Sequence, residues 1–260
     1  MNFAGRTAIV TGAAQGIGRA IAQRLAAAGA GLVMVDLNGD QLRAAANAVR
    51  ETGAAVLDLA VDVTSTAEVN DMVSTALREC GAVDILVNNA GGSGRERATE
   101  IESVSDEIWD GVLDLNLKSA FLCCRAVIPD MKARKYGRIV NVSSGIARGA
   151  GRPAGTAGAV LPYASAKAGL LGLTVTLAKL VAQSNITVNA VVPGFVLTEP
   201  GARVREWFEG LSQEARAALV SRTSMGRAGE AIEIANAVVF LASAEASFVS
   251  GAALDVNGAA

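Results

Sequence analysis

The stretch "TAIVTGAAQGIGRAIAQRLAAAG" (Thr7–Gly29) says most about the fold of this chain. Its first residues, Thr7–Gly12, form an apolar β-branched run that predicts a buried strand, and Gly16–Gly29 predicts a helix closed by glycine. The loop between them holds three glycines: Gly12, Gly16 and Gly18. Glycines let the backbone turn sharply and approach a pyrophosphate, while the helix N-terminus offers free N–H groups. The stretch therefore predicts a nucleotide-binding βα unit; a tight turn that binds nothing is the alternative.

The same alternation of strand and helix continues along the chain. Further strands are expected at Gly31–Asp36, within Ala55–Val63, and at Val83–Gly91, Gly137–Ser144, Ile186–Gly194 and Gly251–Gly258. Further helices are expected at Asp40–Gly53, Thr66–Gly81, Ser105–Leu115, Asn116–Lys135, Tyr163–Ala182 and Glu230–Ser243. Continuous apolar strands alternating with helices indicate a parallel sheet covered on both faces. With no linker or repeat, residues 1–260 are expected to form one α/β domain, a Rossmann-type doubly wound parallel sheet of about seven strands.

Composition excludes several classes of function. The formal net charge of −2 gives no electrostatic basis for binding nucleic acid or an anionic membrane. The chain has no histidine, and its three cysteines form no CxxC pair, so neither a zinc site nor a histidine base is expected. Sparse cysteine and the absence of a signal-peptide pattern at the start predict a reducing, cytoplasmic location.

One apolar stretch and the overall hydropathy indicate more burial than one subunit provides. The stretch Gly169–Ala182 carries Lys179 and is too short to span a bilayer, so it is interpreted as a buried helix. The mean hydropathy of +0.37 is high for a chain with no membrane segment, which favours burial of surface in an oligomer.

Asp36 sharpens the nucleotide prediction. It ends the second expected strand, 18 residues after Gly18, close to the offset at which a carboxylate meets the adenosine ribose hydroxyls. A carboxylate there would repel a 2′-phosphate, and neither Leu37 nor Gln15 supplies a positive charge. These residues favour NAD and make NADP the weaker candidate. An ordinary turn residue at the end of a strand is the alternative for Asp36.

Five motifs occur in a fixed order along the chain. They are "TGAAQGIG" (Thr11–Gly18), "NNAG" (Asn88–Gly91), Asn116 within "LNLKSAF", "VSS" followed by "YASAK", and "PGFVLT" (Pro193–Thr198). Together they cover nearly the full length, and the chain resembles the short-chain dehydrogenase/reductase family. The resemblance implies an oxidoreductase with four catalytic residues: Asn116, Ser144, Tyr163 and Lys167.

The resemblance also implies a set of cofactor-binding residues. They are Gly12, Gln15, Gly16, Ile17, Gly18, Asp36, Leu37, Asp62, Val63, Asn89, Ala90, Gly91, Tyr163, Lys167, Pro193, Gly194, Val196 and Thr198. Asp62 and Val63 are expected beside the adenine, and Val196 and Thr198 beside the nicotinamide carboxamide. Asn89, Ala90 and Gly91 are expected to line the adenosine ribose and the carboxyl edge of the sheet. Asn88 is expected to make a hydrogen bond within the sheet instead.

Tyr163 is the candidate acid/base, since no histidine is available. A free tyrosine has a pKa of about 10, too high for efficient proton transfer near neutrality. Lys167 follows by one helical turn, so a helix places both side chains on one face. A cation about 4 Å away stabilises a phenolate by on the order of 4 kcal/mol at an effective dielectric of 20, which is enough to bring Tyr163 into range.

Two further residues complete the expected site. Ser144 is expected to bind the substrate oxygen because it matches the family's serine, and strand alternation turns Ser143 to the opposite face. Asn116 is expected to help a water chain carry the proton from Lys167; the alternative is a polar residue bonded within a helix kink.

Two segments differ from the family pattern or vary within it. Eighteen residues separate Ser144 from Tyr163, more than in many relatives, and the extra residues bring Arg148, Arg152 and Pro153. We expect this insertion (147–160) to border the substrate pocket, the alternative being a harmless surface loop. Pro162 is expected in the first turn of the following helix or at its cap.

The second segment, about 195–229, is expected to form a substrate loop. Its bulky residues Trp207 and Phe208 either cover the substrate or pack against the next helix.

The function expected from these residues is interconversion of a secondary alcohol and a ketone by an NAD(H)-dependent oxidoreductase. An alternative is a 3-oxoacyl-thioester reductase, because Thr223–Ser243 loosely resembles that group and Arg148 or Arg152 could meet a carboxylate or phosphopantetheine. Asp36 speaks against the NADPH usual there. A non-catalytic nucleotide-binding scaffold is a remote alternative. The family further implies a homotetramer (or dimer), with one interface on the helices that follow Asn116 and Tyr163 and the C-terminal residues at another.

Overall fold

A seven-stranded parallel sheet forms the centre of the computed structural model, which describes residues 1–93, 100–149, 157–200 and 202–260. Its strands are Thr7–Thr11 (β1), Gly31–Asp36 (β2), Val56–Ala60 (β3), Ile85–Asn88 (β4), Gly137–Val142 (β5), Ile186–Pro193 (β6) and Ala253–Val256 (β9). In spatial order across the sheet they are β3, β2, β1, β4, β5, β6 and β9. Two short strands, β7 (Val196–Leu197) and β8 (Gly229–Glu230), pair separately. The expected parallel sheet of about seven strands is confirmed.

Helices cover both faces of this sheet. They are Gly16–Ala27 (α1), Gly39–Arg50 (α2), Thr66–Cys80 (α3), Asp106–Leu113 (α4), Ser119–Arg134 (α5), Ala157–Val181 (α6), Arg203–Glu209 (α7), Gln213–Val220 (α8) and Ala231–Ala242 (α9). One apolar core joins the sheet to α1, α2 and α9, and a second joins it to α3, α5 and α6. Strands β1, β4, β5 and β6 are buried along their whole length, which explains why they are continuously apolar in the sequence.

The order of the strands creates the site. From β1 the chain builds outward through β2 and β3, then returns to place β4 on the other side of β1. In open parallel sheets, ligands bind in the crevice at the carboxyl ends of the strands where the direction of winding switches. Here that crevice lies between β1 and β4, so the glycine loop after Thr11 and the "NNAG" segment from Asn88 form its two sides.

The helix that carries Tyr163 begins earlier than predicted. We expected its first turn at Tyr163, with Pro162 in that turn or at its cap; α6 instead begins at Ala157 and encloses Pro162. A proline within a helix removes one hydrogen bond, here to the carbonyl of the helix's second residue, Gly158. The loss falls close to the helix end, and the helix continues through it.

Helix α6 is also longer than its apolar stretch suggested. The helical segment Val160–Ser184 is, by length and composition alone, long and apolar enough to cross a membrane, and 33% of its apolar stretch is buried. Leu170 and Val181 are buried, whereas Val175 and Leu180 are exposed. The stretch predicted to be a buried helix is therefore buried on one side only in this chain, because the other side of α6 faces outward.

Candidate active site

The glycine loop is shaped by its approach to the end of β4. Gly12 has φ +65°, and a Cβ there would lie 2.9 Å from the Cα of Ala90. A Cβ on Gly18 would overlap the carbonyl oxygen of Gly12. Both positions therefore exclude any side chain. The loop Gly12–Gly18, called the glycine cradle below, packs closely against the first turn of α1 and leaves its backbone accessible to a ligand.

Hydrogen bonds from Thr11 and Asn89 hold this loop in place. The Thr11 hydroxyl accepts hydrogen bonds from the backbone N–H groups of Asn89 and Ala90, each 3.0 Å away. The Asn89 amide donates to the carbonyls of Thr11 (3.0 Å) and Gly12 (3.1 Å). The amide nitrogen of Asn89, expected beside the ribose, thus bonds the loop itself. Thr11 was missed by the sequence reasoning, although it opens the motif that indicated the site.

Asp36 lies at the end of β2, against the same loop. Its carboxylate accepts hydrogen bonds from the N–H groups of Ala14 and Asn38, both at 3.1 Å. Leu37 follows with 74% of its surface exposed. The Gln15 side chain accepts a hydrogen bond from Gln41 of α2 at 3.0 Å, a neighbour that sequence reasoning did not find. This end of the crevice therefore combines one carboxylate with neutral amides.

Asp62 and Val63, expected beside the adenine, follow the next strand, β3. The Asp62 carboxylate accepts hydrogen bonds from the N–H and hydroxyl groups of Thr64, at 2.9 and 2.7 Å. Val63 is buried in the core beneath this turn. The carboxylate therefore shapes the turn at the carboxyl edge of the sheet, next to the end of β2.

Lys167 is buried on the other side of the crevice. Only 3% of its surface is exposed, and its Nζ donates a hydrogen bond to the Val142 carbonyl at 2.8 Å, at the end of β5. Desolvation by burial lowers the pKa of Lys167 from 10.5 to about 8. Its Nζ lies 5.6 Å from the ring centroid of Tyr163. The predicted pair thus shares one helical face, with the ammonium group protected from water.

Asn116 lies in a π-helical turn, Asp114–Lys118, that separates α4 from α5. Its buried amide donates to the carbonyls of Gly92 (2.8 Å) and Val112 (2.9 Å), and its Oδ1 accepts from the N–H of Gly92 (3.0 Å). The side chain therefore bonds within a helix irregularity, as the alternative interpretation held, and also reaches Gly92, directly after "NNAG". Its part in a water chain stays a prediction.

Gly91 brings Asn116 and Lys167 together. A Cβ on Gly91 would lie 2.5 Å from the Asn116 Oδ1 and 3.1 Å from the Lys167 Nζ. Only a glycine leaves both side chains where they are. Among the described residues, nothing lies within 4 Å of such a Cβ on the neighbouring Gly92, so the tight fit at Gly91 does not extend to it.

The two serines after β5 have different surroundings. Ser143 is buried, and its hydroxyl donates to the Lys167 carbonyl at 2.9 Å, which ties α6 to the sheet. Ser144 is half-buried, and its hydroxyl accepts a weak hydrogen bond from the Ile146 N–H at 3.4 Å. Asn88, buried in β4, donates to Asn141 of β5 at 2.9 Å, the expected bond within the sheet.

The "PGFVLT" segment connects the end of β6 to the glycine loop. Pro193 ends β6, and a Cβ on Gly194 would lie 2.9 Å from the Cα of Asn257. Val196 is buried in β7. The Thr198 methyl group would lie 3.4 Å from a Cβ on Gly16. Thr198, predicted beside the nicotinamide, therefore lies next to the N-terminus of α1, in which Ile17 is the second residue.

Glu199, which sequence reasoning missed, occupies that N-terminus. Both of its carboxylate oxygens accept from the Gly16 N–H, at 2.8 and 3.0 Å, although the residues are 183 positions apart. The helix has no side-chain cap from its own N-cap residue, Gln15, and no acidic residue in its first turn. No sequence motif links the two positions.

The two variable segments are only partly described. Arg148 forms an ion pair with Asp255 of β9 at 2.6 Å, so it does not present a free positive charge to a pocket. Arg152 and Pro153 lie outside the described residues. Trp207 and Phe208 contact Phe195, with ring centroids 6.4 and 5.5 Å from the Phe195 centroid respectively. Phe195 directly follows Gly194; whether the two residues cover a substrate stays a prediction.

This arrangement can support acid/base chemistry beside a loop that admits a close-lying ligand. A phenol next to a buried ammonium group can exchange a proton with a substrate hydroxyl, and a helix N-terminus beside a glycine loop can bind an anionic ligand. Among the described residues there is no group of three His, Cys, Asp or Glu that could hold a metal ion.

Comparisons with known proteins agree with this arrangement. A family model described as enoyl-(acyl carrier protein) reductase matches residues 12–259. The chain is 39% identical over 260 residues to the 3-oxoacyl-(acyl-carrier-protein) reductase of Escherichia coli strain K12, covering 99% of this chain and 98% of that protein. It is 38% identical over 259 residues to a subunit of (2S)-((R)-hydroxy(phenyl)methyl)succinyl-CoA dehydrogenase of Thauera aromatica, with 99% and 97% covered. The crystal structure of a levodione reductase superposes with a TM-score of 0.87 at 34% identity, covering 99% and 98%.

Proposed function

The chain belongs to the short-chain dehydrogenase/reductase family, and from that premise we propose that it interconverts a secondary alcohol and a ketone with NAD(H), using Tyr163 as acid/base. The observation that carries the proposal is the buried Lys167 one helical turn from Tyr163, beside Asn116 and the glycine cradle. The nicotinamide cofactor, when bound, supplies the hydride acceptor or donor.

The proton steps follow from the groups in this site. In oxidation, Tyr163 takes the proton of the substrate hydroxyl while Ser144 hydrogen-bonds the same oxygen. In reduction, Tyr163 donates the proton to the ketone oxygen. The Lys167 ammonium group favours the phenolate because the charge acts at short range in a site shielded from water. Asn116, fixed by Gly92, is proposed to hold a water molecule through which Lys167 exchanges its proton with solvent.

The cradle fits a dinucleotide. Gly12 and Gly18 have no room for a side chain, so the backbone of the loop is open to a pyrophosphate. The N-terminus of α1 offers N–H groups to the same ligand. Asp36 and Gln15 would face the adenosine ribose. We propose NAD because the Asp36 carboxylate would repel a 2′-phosphate, and the amides of Gln15 and Gln41 provide no positive charge to balance it.

A second candidate is reduction of a 3-oxoacyl thioester. It is supported by the 39% identity to the 3-oxoacyl-(acyl-carrier-protein) reductase of Escherichia coli. A panel of secondary alcohols, ketones and 3-oxoacyl thioesters, each measured with NAD(H) and NADP(H) by nicotinamide absorbance, separates the candidates. If the protein turns over thioesters and none of the simple alcohols or ketones, the second function replaces the first.

Tyr163→Phe tests whether the protein is an enzyme at all. The variant keeps the ring but loses the proton, so kcat should fall by about 10²–10⁴-fold. NADH affinity, measured by fluorescence titration, should stay within about twofold, since the hydroxyl contributes little to ground-state binding. A variant that turns over substrate as fast as the wild type would refute the acid/base assignment. A wild type that binds NADH but turns over no substrate of the panel would favour a nucleotide-binding scaffold.

We propose a homotetramer (or dimer) located in the cytoplasm. Phe121 on α5 and Leu180 on α6 are exposed on the side of these helices away from the sheet, and Phe240 and Phe248 are exposed near the C-terminus. Large exposed apolar groups on long helices are typical of subunit interfaces. Light scattering that gave the mass of one chain, 26.4 kDa, would contradict this.

A further inference from the structure

The N-terminus of α1 is occupied by a carboxylate from a distant loop. Glu199 places both carboxylate oxygens within 3.0 Å of the Gly16 nitrogen. A helix N-terminus carries partial positive charge and unpaired N–H groups, which is why anions bind there. The Glu199 carboxylate therefore occupies a position that favours an anion.

Local sequence leaves this position open. Helices α2, α3, α4 and α8 begin with a side-chain cap from the residue just before them: Asn38, Ser65, Ser105 and Ser212. In α1 that residue is Gln15, whose side chain bonds Gln41 and caps nothing. The anion that satisfies α1 thus comes from another part of the chain.

Glu199 has no competing partner in the described part of the chain. None of the ion pairs found there includes it, and its carboxylate bonds only the Gly16 N–H. Arg205, on α7, donates instead to the Thr198 carbonyl at 2.6 Å and lies 3.5 Å from Glu209. The contact between Glu199 and Gly16 therefore joins the segment leading to α7 directly to the cofactor loop.

We propose that Glu199 is an intramolecular competitor of the cofactor pyrophosphate: its carboxylate bonds the Gly16 N–H that the pyrophosphate would use, and it is displaced when the dinucleotide binds. The inference rests on the proposed function. A pyrophosphate and a carboxylate are both anions, so they cannot share the Gly16 N–H without repulsion. Cofactor binding thus breaks this contact, and Arg205 transmits the release to α7, which carries Trp207 and Phe208.

The test compares Glu199→Gln with Glu206→Gln. Both remove one carboxylate from the same loop region, but Glu206 is exposed on α7, whereas the Glu199 carboxylate bonds the Gly16 N–H. Dissociation constants are measured by titration for NADH, for ADP-ribose, which has the pyrophosphate but no nicotinamide, and for adenosine, which has no phosphate. Glu199→Gln should bind NADH and ADP-ribose about threefold to tenfold more tightly, from the usual strength of a charge at a helix terminus. Adenosine affinity, and all affinities of Glu206→Gln, should not change.

Further outcomes decide the proposal. Glu199→Asp keeps the charge but is one methylene too short for both contacts, so it should also tighten ADP-ribose binding if Glu199→Gln does not fold. Unchanged or weaker NADH binding in the variants, with normal binding by the wild type, would overturn the competitor role and leave the proposed function intact. If wild type and variants bind neither NADH, NADPH nor ADP-ribose, the proposed function itself fails, and the competitor role with it.

Discussion

Gly91→Ala tests the geometry of the proposed site most directly. The added methyl carbon would lie 2.5 Å from the Asn116 Oδ1, whereas carbon and oxygen in contact are about 3.3 Å or more apart, so the amide must move by about 0.8 Å. That movement strains its bonds to the N–H and carbonyl of Gly92, at 3.0 and 2.8 Å. Strain of this kind in a packed interior costs about 1–3 kcal/mol.

The catalytic effect should exceed the effect on stability. A displacement of about 1 Å in a catalytic group can lower the rate by about 100-fold. The second neighbour, the Lys167 Nζ, would lie 3.1 Å from the new carbon, so it is crowded as well. We therefore expect kcat of Gly91→Ala to fall by about 100-fold, while the protein remains folded at 25 °C.

Gly92→Ala is the matched control. The same methyl group added one residue later has no neighbour within 4 Å in the part of the chain that the structure describes, and Gly92 has no positive φ. Its kcat should stay within about threefold of wild type, and its unfolding free energy within about 0.5 kcal/mol. Steady-state kinetics, NADH titration and urea denaturation of both variants give the required comparison.

Two results would refute the reasoning. Equal kcat for Gly91→Ala and Gly92→Ala would mean that Asn116 and Lys167 do not need their observed positions. Loss of NADH binding as large as the loss of kcat would mean that the methyl group blocks the cofactor instead. A double mutant gives an independent check: in an Asn116→Ala background, the stability cost of Gly91→Ala should become smaller, because the clashing amide is gone.

Two further predictions concern charged groups. Burial lowers the pKa of Lys167 from 10.5 to about 8, so between these pH values the unfolded chain binds more protons than the folded one. The unfolding free energy of the wild type, measured by urea denaturation, should therefore rise over this range by about 3 kcal/mol relative to that of Lys167→Met. The same pH dependence of the unfolding free energy in both proteins would contradict this. Asp36→Asn keeps a hydrogen-bond acceptor for Ala14 but removes the charge, so the kcat/KM ratio of NADPH to NADH should rise about tenfold. A ratio equal to that of the wild type would show that Asp36 does not select the cofactor.

Most secondary structure could be predicted because it depends on local patterns. Strand β2 has the predicted bounds, Gly31–Asp36, and the ends of β1, β5 and β6 differ from prediction by one or two residues. Apolar runs bounded by glycine mark a buried parallel strand at both ends. The start of α6 was predicted six residues too late, because a proline was taken as a helix start and the glycine- and alanine-rich residues before it carry no periodic pattern.

The π-helical turn at Asp114–Lys118 shows a different limit. Two helices were predicted to meet at Asn116, and they do meet there, but through a turn of another kind. Its geometry is maintained by bonds from Asn116 to Gly92, which lies 24 residues earlier in the chain. A contact between separate elements cannot be read from the composition of either one.

The amino-acid sequence alone determined the order of strands and helices, the glycine cradle, and the pairing of Tyr163 with Lys167. Each of these follows from neighbours within one helical turn or one strand. Only the tertiary structure decided that Asn116 and Lys167 both lie against Gly91 and that burial lowers the pKa of that lysine. It alone brought Glu199 to Gly16, 183 residues away. Packing and desolvation depend on distant parts of the chain meeting, and no local pattern specifies which of them meet.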